Sequence, residues 1–500
     1  MSSMLYKLRN MDSYTKLALS TILIGILIRF ILVIPYSVAG DACWHLSNAK
    51  FIANNLDMPL FEHLGREQPF WSPPLFHVIS ATFFKLFGLL GSDAADFGIK
   101  LVSPLFGSLS LIVSYFILSM LFDKKTSFYG ILFITFLPMS MDYGIFSYAD
   151  GMLTFFIVTS IYYALKDKTT ISALSLSLAI LTKYTGLVAI PVILYITFLK
   201  NKKSFLKKFA IIFAVVLLAG SPWYIRNWVY LKNPVYPILN SLFNGIDVGT
   251  TYSNFDFSKI VSINSLVYPL LEFFGVPDGN ISKVFFFDIP YLSMLLSIWL
   301  AAVVIFSIPI FLGLDIKKET RNIALALLLP LLIAAILHIL NVGWSTGRRL
   351  LPATVVLAFF WGNGIIKIIK KIRNKNIEKV ILMVLAAIVI GFVFTSFVRI
   401  SLATNQWNLF KDDFEWVKKN TDKDAIFIAG GQCIQFKIDR YSLPPSEIGT
   451  GKYDYIWVNQ DFKLDRRSIL NNKQLKELKD RGNYLVYNNS KTSTKIYKME

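Results

Sequence analysis

Apolar runs of membrane-crossing length recur from the start of the chain to about residue 400, separated by short polar segments. A helix that spans a hydrocarbon core about 30 Å thick needs on the order of 20 such residues. The runs predict spans over 17–37, 98–122, 127–147, 150–165, 170–184, 187–200, 208–225, 289–313, 321–341, 349–366 and 379–400. The apolar stretch 73–90 does not fit this series, because it contains Lys85 and ends in the acidic segment "GSDAADFG". It is expected to lie along the outer surface as an amphipathic or re-entrant helix. Beyond 401 the pattern changes. "AIFIAG", "YDYIWVN" and "NYLVYNN" read as strands, and "DDFEWVKKN" and "KQLKELKDRG" as helices. The fold class expected is therefore an all-α polytopic membrane protein of about 11 transmembrane helices, followed by a small soluble α/β domain. The domains expected are 1–400, carrying outer loops 38–97 and 226–288, and 401–500.

Charge orients the spans. Lysine and arginine accumulate in short loops that stay in the cytoplasm. Lys7, Arg9 and Lys16 place the N-terminus there, as Lys124 and Lys125 do for the end of the second span. That assignment holds only if 73–90 does not cross. The clusters at 200–208 and 367–379 then also fall inside, and the C-terminal domain falls outside. A formal net charge of +19 is compatible with nucleic-acid binding, but the excess sits in these loops, where it meets anionic lipid. No nucleic-acid partner is expected, and the location is a cell (plasma) membrane. Ser37-Val38-Ala39 resembles a signal-peptidase site, yet the preceding run is longer than the usual 7–15 residues and is read as a retained span. Two cysteines, Cys43 and Cys433, are too few for a disulfide framework or a thiolate metal site. They are read as free small residues; both fall outside, so a pairing is allowed but not indicated.

The candidate chemistry gathers at the outer ends of the spans. Asp41 follows the first span, and "WHLSNAKFIANN" after it places Trp44, Ala49, Ile52 and Ala53 near a helical period. His45, four residues on, would share a helix face with Asp41. Its expected role is a hydrogen bond to Asp41, with a proton shuttle or metal ligand as the alternatives. Asp150, in "FSYADGMLTFF", opens the fourth span on the same side, where helix capping is its plainest role. Lys183 lies in an apolar hairpin, where a charge must reach the interface or meet an anion. Arg226, at the start of the loop after the seventh span, and Arg348 and Arg349, at a span end, face the same side. Tryptophans and tyrosines around them suit interfacial anchoring. The guanidinium fork also suits phosphate. Acids and cations at an outer interface fit transfer of a sugar from a lipid phosphate. That leaving group needs charge stabilisation more than protonation, and one carboxylate can serve as base on the acceptor hydroxyl.

The motifs that carry these residues resemble the GT-C glycosyltransferases that use polyprenyl-phosphate sugars, such as protein O-mannosyltransferases and lipid A aminoarabinose transferases. They are an Asp just after the first span, "SPPLF" at 72–76, "YADGMLTFF", "LAILTKYTGL" and "SPWYIRNW". The resemblance runs over most of residues 15–400 and also implies a surface helix after the Pro-Pro pair. It implies Asp41 and Asp150 as catalytic acids, with Lys183, Arg226, Arg348 and Arg349 as candidates for the donor phosphate. Many relatives have Asp-Glu where this chain has Asp41-Ala42, and Lys where it has Ser72. A "WWDYG"-type motif is absent, unlike in oligosaccharyltransferases. The function expected is transfer of a sugar from polyprenyl (dolichyl) phosphate to a hydroxyl of a protein or lipid-linked glycan on the extracytoplasmic face. No cofactor is expected, and a divalent metal at Asp41 and His45 stays open. A transporter or flippase of lipid-linked sugars is the alternative, although no inverted repeat is evident.

Overall fold

The computed structural model describes residues 11–62, 69–246, 272–274, 292–342, 347–372, 375–429, 432–443, 447, 448, 450–459 and 484–499. The chain folds into two compact units. The first runs to Ile34, adds Ser72–Phe76 and resumes over Lys100–Arg399; the second holds Pro35–Trp71, His77–Ile99 and the chain from Ile400 onward. Most of the expected outer loop 38–97 thus packs in the same unit as the tail.

In chain order the first helices are α1 (Ser13–Leu32), α2 (Asp41–Asn55), α3 (Leu75–Gly88) and α4 (Ser92–Gly98). The next are α5 (Val102–Leu121), α6 (Lys124–Phe136), α7 (Pro138–Asp142), α8 (Ala149–Leu165) and α9 (Thr169–Thr182). Then come α10 (Ile190–Lys200), α11 (Phe205–Leu231), α12 (Asn240–Phe243), α13 (Leu292–Leu312) and α14 (Lys318–Val342). The series closes with α15 (Ala353–Lys371), α16 (Lys375–Asn408), α17 (Lys411–Asn420) and α18 (Gln432–Ile438). Among the described residues six helices are long and apolar enough to cross a membrane, and five further apolar helices are shorter. The chain is a multi-pass membrane protein.

Three ion pairs join the ends that the charge pattern assigned to one side. Lys124 Nζ meets Asp12 Oδ2 at 2.8 Å, Lys367 Nζ meets Asp315 Oδ2 at 3.2 Å, and Lys208 pairs with Asp167. The Asp12–Lys124 contact brings the start of α1 beside the start of α6, which requires an even number of crossings between them. One pass by α1 and one by α5 meets that requirement without α3. Helix α3 itself is one-sided, with His77, Ser80 and Ala81 buried and Val78, Thr82 and Leu86 exposed.

The expected span 127–147 is not one helix. Leu137 precedes Pro138 and is therefore held extended, so α6 stops at Phe136 and the short α7 begins anew. The carbonyls of the last helical turn lack partners in their own helix, and a buried arginine takes up part of the deficit. Arg29 of α1 donates to the carbonyls of Thr135 (3.3 Å), Ser140 (3.1 Å) and Gly25 (3.0 Å) and to Ser140 Oγ (3.2 Å). Next to it, Arg399 pairs with the buried Asp142. The core above is aromatic: Trp361 lies 5.0 Å from Phe306 and 5.5 Å from Phe133 and donates its Nε1 proton to the Phe306 carbonyl at 2.7 Å.

The second unit contains a five-stranded sheet in the order β2-β1-β3-β5-β4, where β1 is Ile426–Ile428, β2 Tyr441–Leu443, β3 Tyr455–Asn459, β4 Tyr484–Asn489 and β5 Thr494–Lys498. Strand β1 pairs in parallel with β2 and β3, whereas β5 pairs antiparallel with β3 and β4. Central β3 is buried at every position, as a strand covered on both faces must be. The expected strands at 425–430, 453–459 and 483–489 and helix α17 are present. Strands β2 and β5 and helix α18 were not expected, being short and interrupted by charge or hydroxyl residues. The helix expected at "KQLKELKDRG" lies outside the described residues. Asp413 of α17 is fully buried and accepts hydrogen bonds from Tyr487 (2.7 Å), Asn489 (2.6 Å), Thr492 (2.7 Å) and Thr494 (2.8 Å), which clamps the helix to the sheet edge.

The reading of Cys43 and Cys433 as free is corrected: they form a disulfide with Cα atoms 5.0 Å apart. Composition could not show this, because the two residues are 390 positions apart. Replacing Cys433 by serine should cost the second unit about 2–5 kcal/mol. The loss would be seen as faster hydrogen exchange through α2 and α18, and exchange unchanged by reduction of the wild type would contradict it.

Burial and the Asp413 carboxylate push the Tyr487 hydroxyl up to about 12. A raised folded value means stability that is complete below the unfolded value near 10 and is lost as pH climbs through 12. The unfolding midpoint of the tail should therefore fall between about pH 10 and 12, and Tyr487→Phe should flatten that fall.

Candidate active site

In the first unit the site is built where α8 begins. Tyr148 is extended and Asp150 is the second helical residue. Asp150 does not cap the helix, as its plainest role would have it; the carboxylate is turned to Lys183 Nζ at 2.7 Å. Asp150 is almost wholly buried, so an ionised carboxylate there needs a cation and bonded geometry to offset desolvation.

Lys183 reaches it because α9 stops one residue earlier. Lys183 is extended (φ −162°, ψ 137°) and a 3₁₀ helix, Tyr184–Ala189, follows. The turn is tight at Gly186, where a Cβ would stand 2.7 Å from the Ala179 carbonyl carbon and 2.8 Å from its oxygen; only glycine fits without displacing α9. The turn is pinned by Tyr184, whose hydroxyl accepts from Trp223 Nε1 (2.8 Å) and Asn227 Nδ2 (3.2 Å) of α11. Arg226 is held in that same place, with its guanidinium over the Trp223 ring at 4.9 Å and its Nη1 donating to Asn227 Oδ1 at 2.9 Å. It was expected in a loop, but α11 continues to Leu231, so Arg226 is a helical residue.

Arg348 and Arg349 lie in a 3₁₀ turn, Gly347–Leu350, ahead of α15. The backbone N–H of Arg348 donates to Glu272 Oε2 at 3.1 Å, and its guanidinium covers the Tyr148 ring at 4.6 Å. Both arginines act on Lys183 electrostatically, and Tyr143 lies in the combined field of Glu272, Arg348, Tyr148 and Asp150. Segments distant in sequence thus bring Asp150, Lys183, Arg348 and Arg349 into one cluster, with Arg226 attached through Tyr184. Tyr143, Tyr148 and Glu272 were not singled out from sequence. Glu272 could have been, as a carboxylate alone in the apolar run "YPLLEFFG".

In the second unit Asp41 is the exposed first residue of α2. Gly40 before it has a positive φ of 60°, a backbone that glycine adopts freely. A carboxylate in a first helical turn is favoured by the helix dipole. Trp44, Ala49, Ile52 and Ala53 are all buried, as the period predicted. One turn after Asp41, the His45 ring lies 3.0 Å from that of His77, nitrogen to nitrogen, and Trp44 stacks on Phe70 and Trp71, each at 5.8 Å. His77, a partner of His45, was not foreseen. Among the described residues no group of three or more His, Cys, Asp or Glu is placed to hold a metal ion.

Residues 71–225 match the family model described as dolichyl-phosphate-mannose-protein mannosyltransferase. No curated protein matches the chain at a significant level. The fold is that of GT-C glycosyltransferases. ArnT from Cupriavidus metallidurans, solved bound to undecaprenyl phosphate, superposes with a TM-score of 0.62 at 12% identity, over 96% of this chain and 97% of that one. The oligosaccharyltransferase AglB from Archaeoglobus fulgidus, solved with an inhibitory peptide and a dolichol-phosphate, gives 0.56 at 12% identity over 98% of this chain and 75% of that one. The arabinofuranosyltransferase AftD from Mycobacteria gives 0.56 at 12% identity, over 96% of this chain but 40% of its own.

Lys183→Met should destabilise the first unit by about 3–5 kcal/mol, because it leaves a buried carboxylate without its cation. Adding Asp150→Asn should restore most of that loss, measured by thermal unfolding in detergent. A double variant no more stable than the single would show that the pair is not coupled.

Proposed function

We propose that this multi-pass GT-C glycosyltransferase moves a sugar from polyprenyl (dolichyl) phosphate to an acceptor hydroxyl on the extracytoplasmic face. The observation that carries the reading is the convergence of Lys183, Arg348 and Arg349 around the buried carboxylates of Asp150 and Glu272. Cations outnumber carboxylates there, which suits the phosphate of a lipid donor. In the reaction the bond between the sugar's anomeric carbon and the phosphate oxygen breaks, and its electrons leave with polyprenyl phosphate. The acceptor oxygen bonds to that carbon, and Asp41 takes the acceptor's proton as general base. The arginine forks and Lys183 stabilise the charge that grows on the phosphate. Arg226 contributes to holding that phosphate.

Asp150 acts as a positioning residue: it fixes the Lys183 ammonium without touching the reacting atoms. His45 supports the N-terminal turn of α2 through His77. No resident cofactor is assigned, since arginine and lysine meet the leaving-group charge.

The Cys43–Cys433 disulfide supports an outside location for the second unit, because disulfides persist in oxidising compartments and are rare in the cytoplasm. The basic loops support a cytoplasmic N-terminus in the plasma membrane.

Purified protein incubated with radiolabelled polyprenyl-phosphate sugars and membrane extract should move label to a new product. Asp41→Asn should lower that transfer by about 10²–10⁴-fold, the usual contribution of a general base, while leaving donor binding intact. Arg348→Ala should raise the donor KM. Chelator should leave the rate unchanged. Full transfer by Asp41→Asn would remove the assigned base; no transfer from any donor by folded protein would favour a flippase.

A further inference from the structure

The second unit contains a polar cleft that the reaction above does not use. It encloses about 410 Å³, within the range of about 300–1,000 Å³ typical of small-ligand sites. One wall is helix α2, which contributes Ser47, Lys50, Phe51, Asn54 and Asn55; the other comes from 423–424 and 435–441 of the tail.

The charges of this cleft are largely compensated. Lys50, nearly buried, holds Asp96 at 2.8 Å and Asp439 at 3.9 Å, and its ammonium lies over the Phe436 ring at 4.6 Å. Arg440, also buried, donates to the Thr421 carbonyl (2.9 Å), the Lys418 carbonyl (3.3 Å) and Thr421 Oγ1 (3.2 Å). Lys423 and Asp424, neighbours of opposite charge, are both exposed. Beside these charges the lining is neutral: the side-chain amides of Asn54, Asn55 and Gln435, the hydroxyls of Ser47 and Tyr441, and aromatic faces.

Ser47 points to a ligand independently of the shape. The residue is only 5% exposed, and among the described residues Oγ has no hydrogen-bond partner. A helical serine can bond the carbonyl four residues back, as Thr154 and Ser177 do here. A buried hydroxyl left without a partner costs about 1–3 kcal/mol, a cost that a ligand oxygen bonded to it would offset.

Amides and hydroxyls that donate and accept, set beside aromatic faces without net charge to satisfy, match a neutral polyhydroxylated ligand. We infer that this cleft binds the acceptor as a neutral glycan chain. The inference rests on the transferase reading for the word acceptor, while binding itself does not depend on it. Helix α2 joins the two places: at about 1.5 Å rise per residue, Ser47–Asn55 lie about 9–21 Å along its axis from Asp41. A chain several sugars long would be held at one end of a rigid helix whose other end bears the base.

The test uses full-length protein in nanodiscs and a panel of neutral linear hexose tetrasaccharides. Controls are a tetrasaccharide containing a uronic acid and a Ser/Thr-rich peptide, and binding is read by calorimetry and saturation-transfer NMR. At least one neutral tetrasaccharide should saturate, Ser47→Ala with Asn54→Ala should weaken it at least tenfold, and Asp41→Asn should bind it as wild type does. Both cleft substitutions are small and favourable to helix, and unchanged thermal unfolding verifies that the fold is kept. Absence of saturable binding by every neutral glycan, or equal affinity in the cleft variant, would overturn the inference. So would peptide binding that the cleft variant abolishes. Donor turnover measured on the same samples separates the two readings. Turnover without glycan binding sinks the cleft alone, and glycan binding without turnover sinks the transferase alone.

Discussion

The ion pair between Asp150 and Lys183 is the constraint on which the first unit's site depends. A carboxylate exposed to only 2% cannot stay ionised among apolar helices without a cation against it. Meeting that need requires α9 to end at Thr182, Lys183 to be extended and Gly186 to lie on the backbone of Ala179. Tyr184 is then delivered to Trp223 and Asn227, which in turn seat Arg226. One electrostatic requirement thus orders a turn, an aromatic anchor and a second cation. Arg348 and Arg349 enter from a third segment, with Arg348 held by Glu272 and by the face of Tyr148.

The second unit rests on covalent closure. Helix α2 has much of its surface buried, and the disulfide two residues after Asp41 ties its first turn to α18. The helix end that bears Asp41 is thereby fixed by a disulfide on one side and the glycine turn at Gly40 on the other. The same helix, followed nine residues on, supplies Lys50 to Asp96 and walls the cleft with its amides. On the proposed function, the first unit supplies the cations that meet the donor phosphate, and the second supplies Asp41 and the polar cleft.

Membrane-spanning segments tolerate charge only where it is answered, and this chain answers it in two ways. Among the described residues Arg29 has no carboxylate within hydrogen-bond distance; it donates to the Gly25 carbonyl of its own helix and to the Thr135 and Ser140 carbonyls and the Ser140 hydroxyl, where Pro138 interrupts the helix it faces. Asp142 and Arg399 pair instead. The interruption at Leu137 is therefore part of the solution: it exposes carbonyls at the depth where an arginine needs them.

The sequence by itself determined the class of molecule, a multi-pass membrane protein. Apolar length and lysine placement are local properties set by the solvent each segment must face, which is why the start of the chain and Lys124 were expected on one side, the ends that the Asp12–Lys124 pair joins. The candidate residues were legible as types, because a charge beside apolar runs is costly and conspicuous. Their partners were not. Nothing in "YADGMLTFF" says that its carboxylate will turn to Lys183 rather than cap a helix, and nothing near Cys43 announces Cys433. Glu272, Tyr148 and His77 owe their places to segments far along the chain. Solvent preference is written residue by residue, whereas pairing depends on which distant groups the packed helices and sheet bring within a few ångströms, and only the tertiary structure decided that.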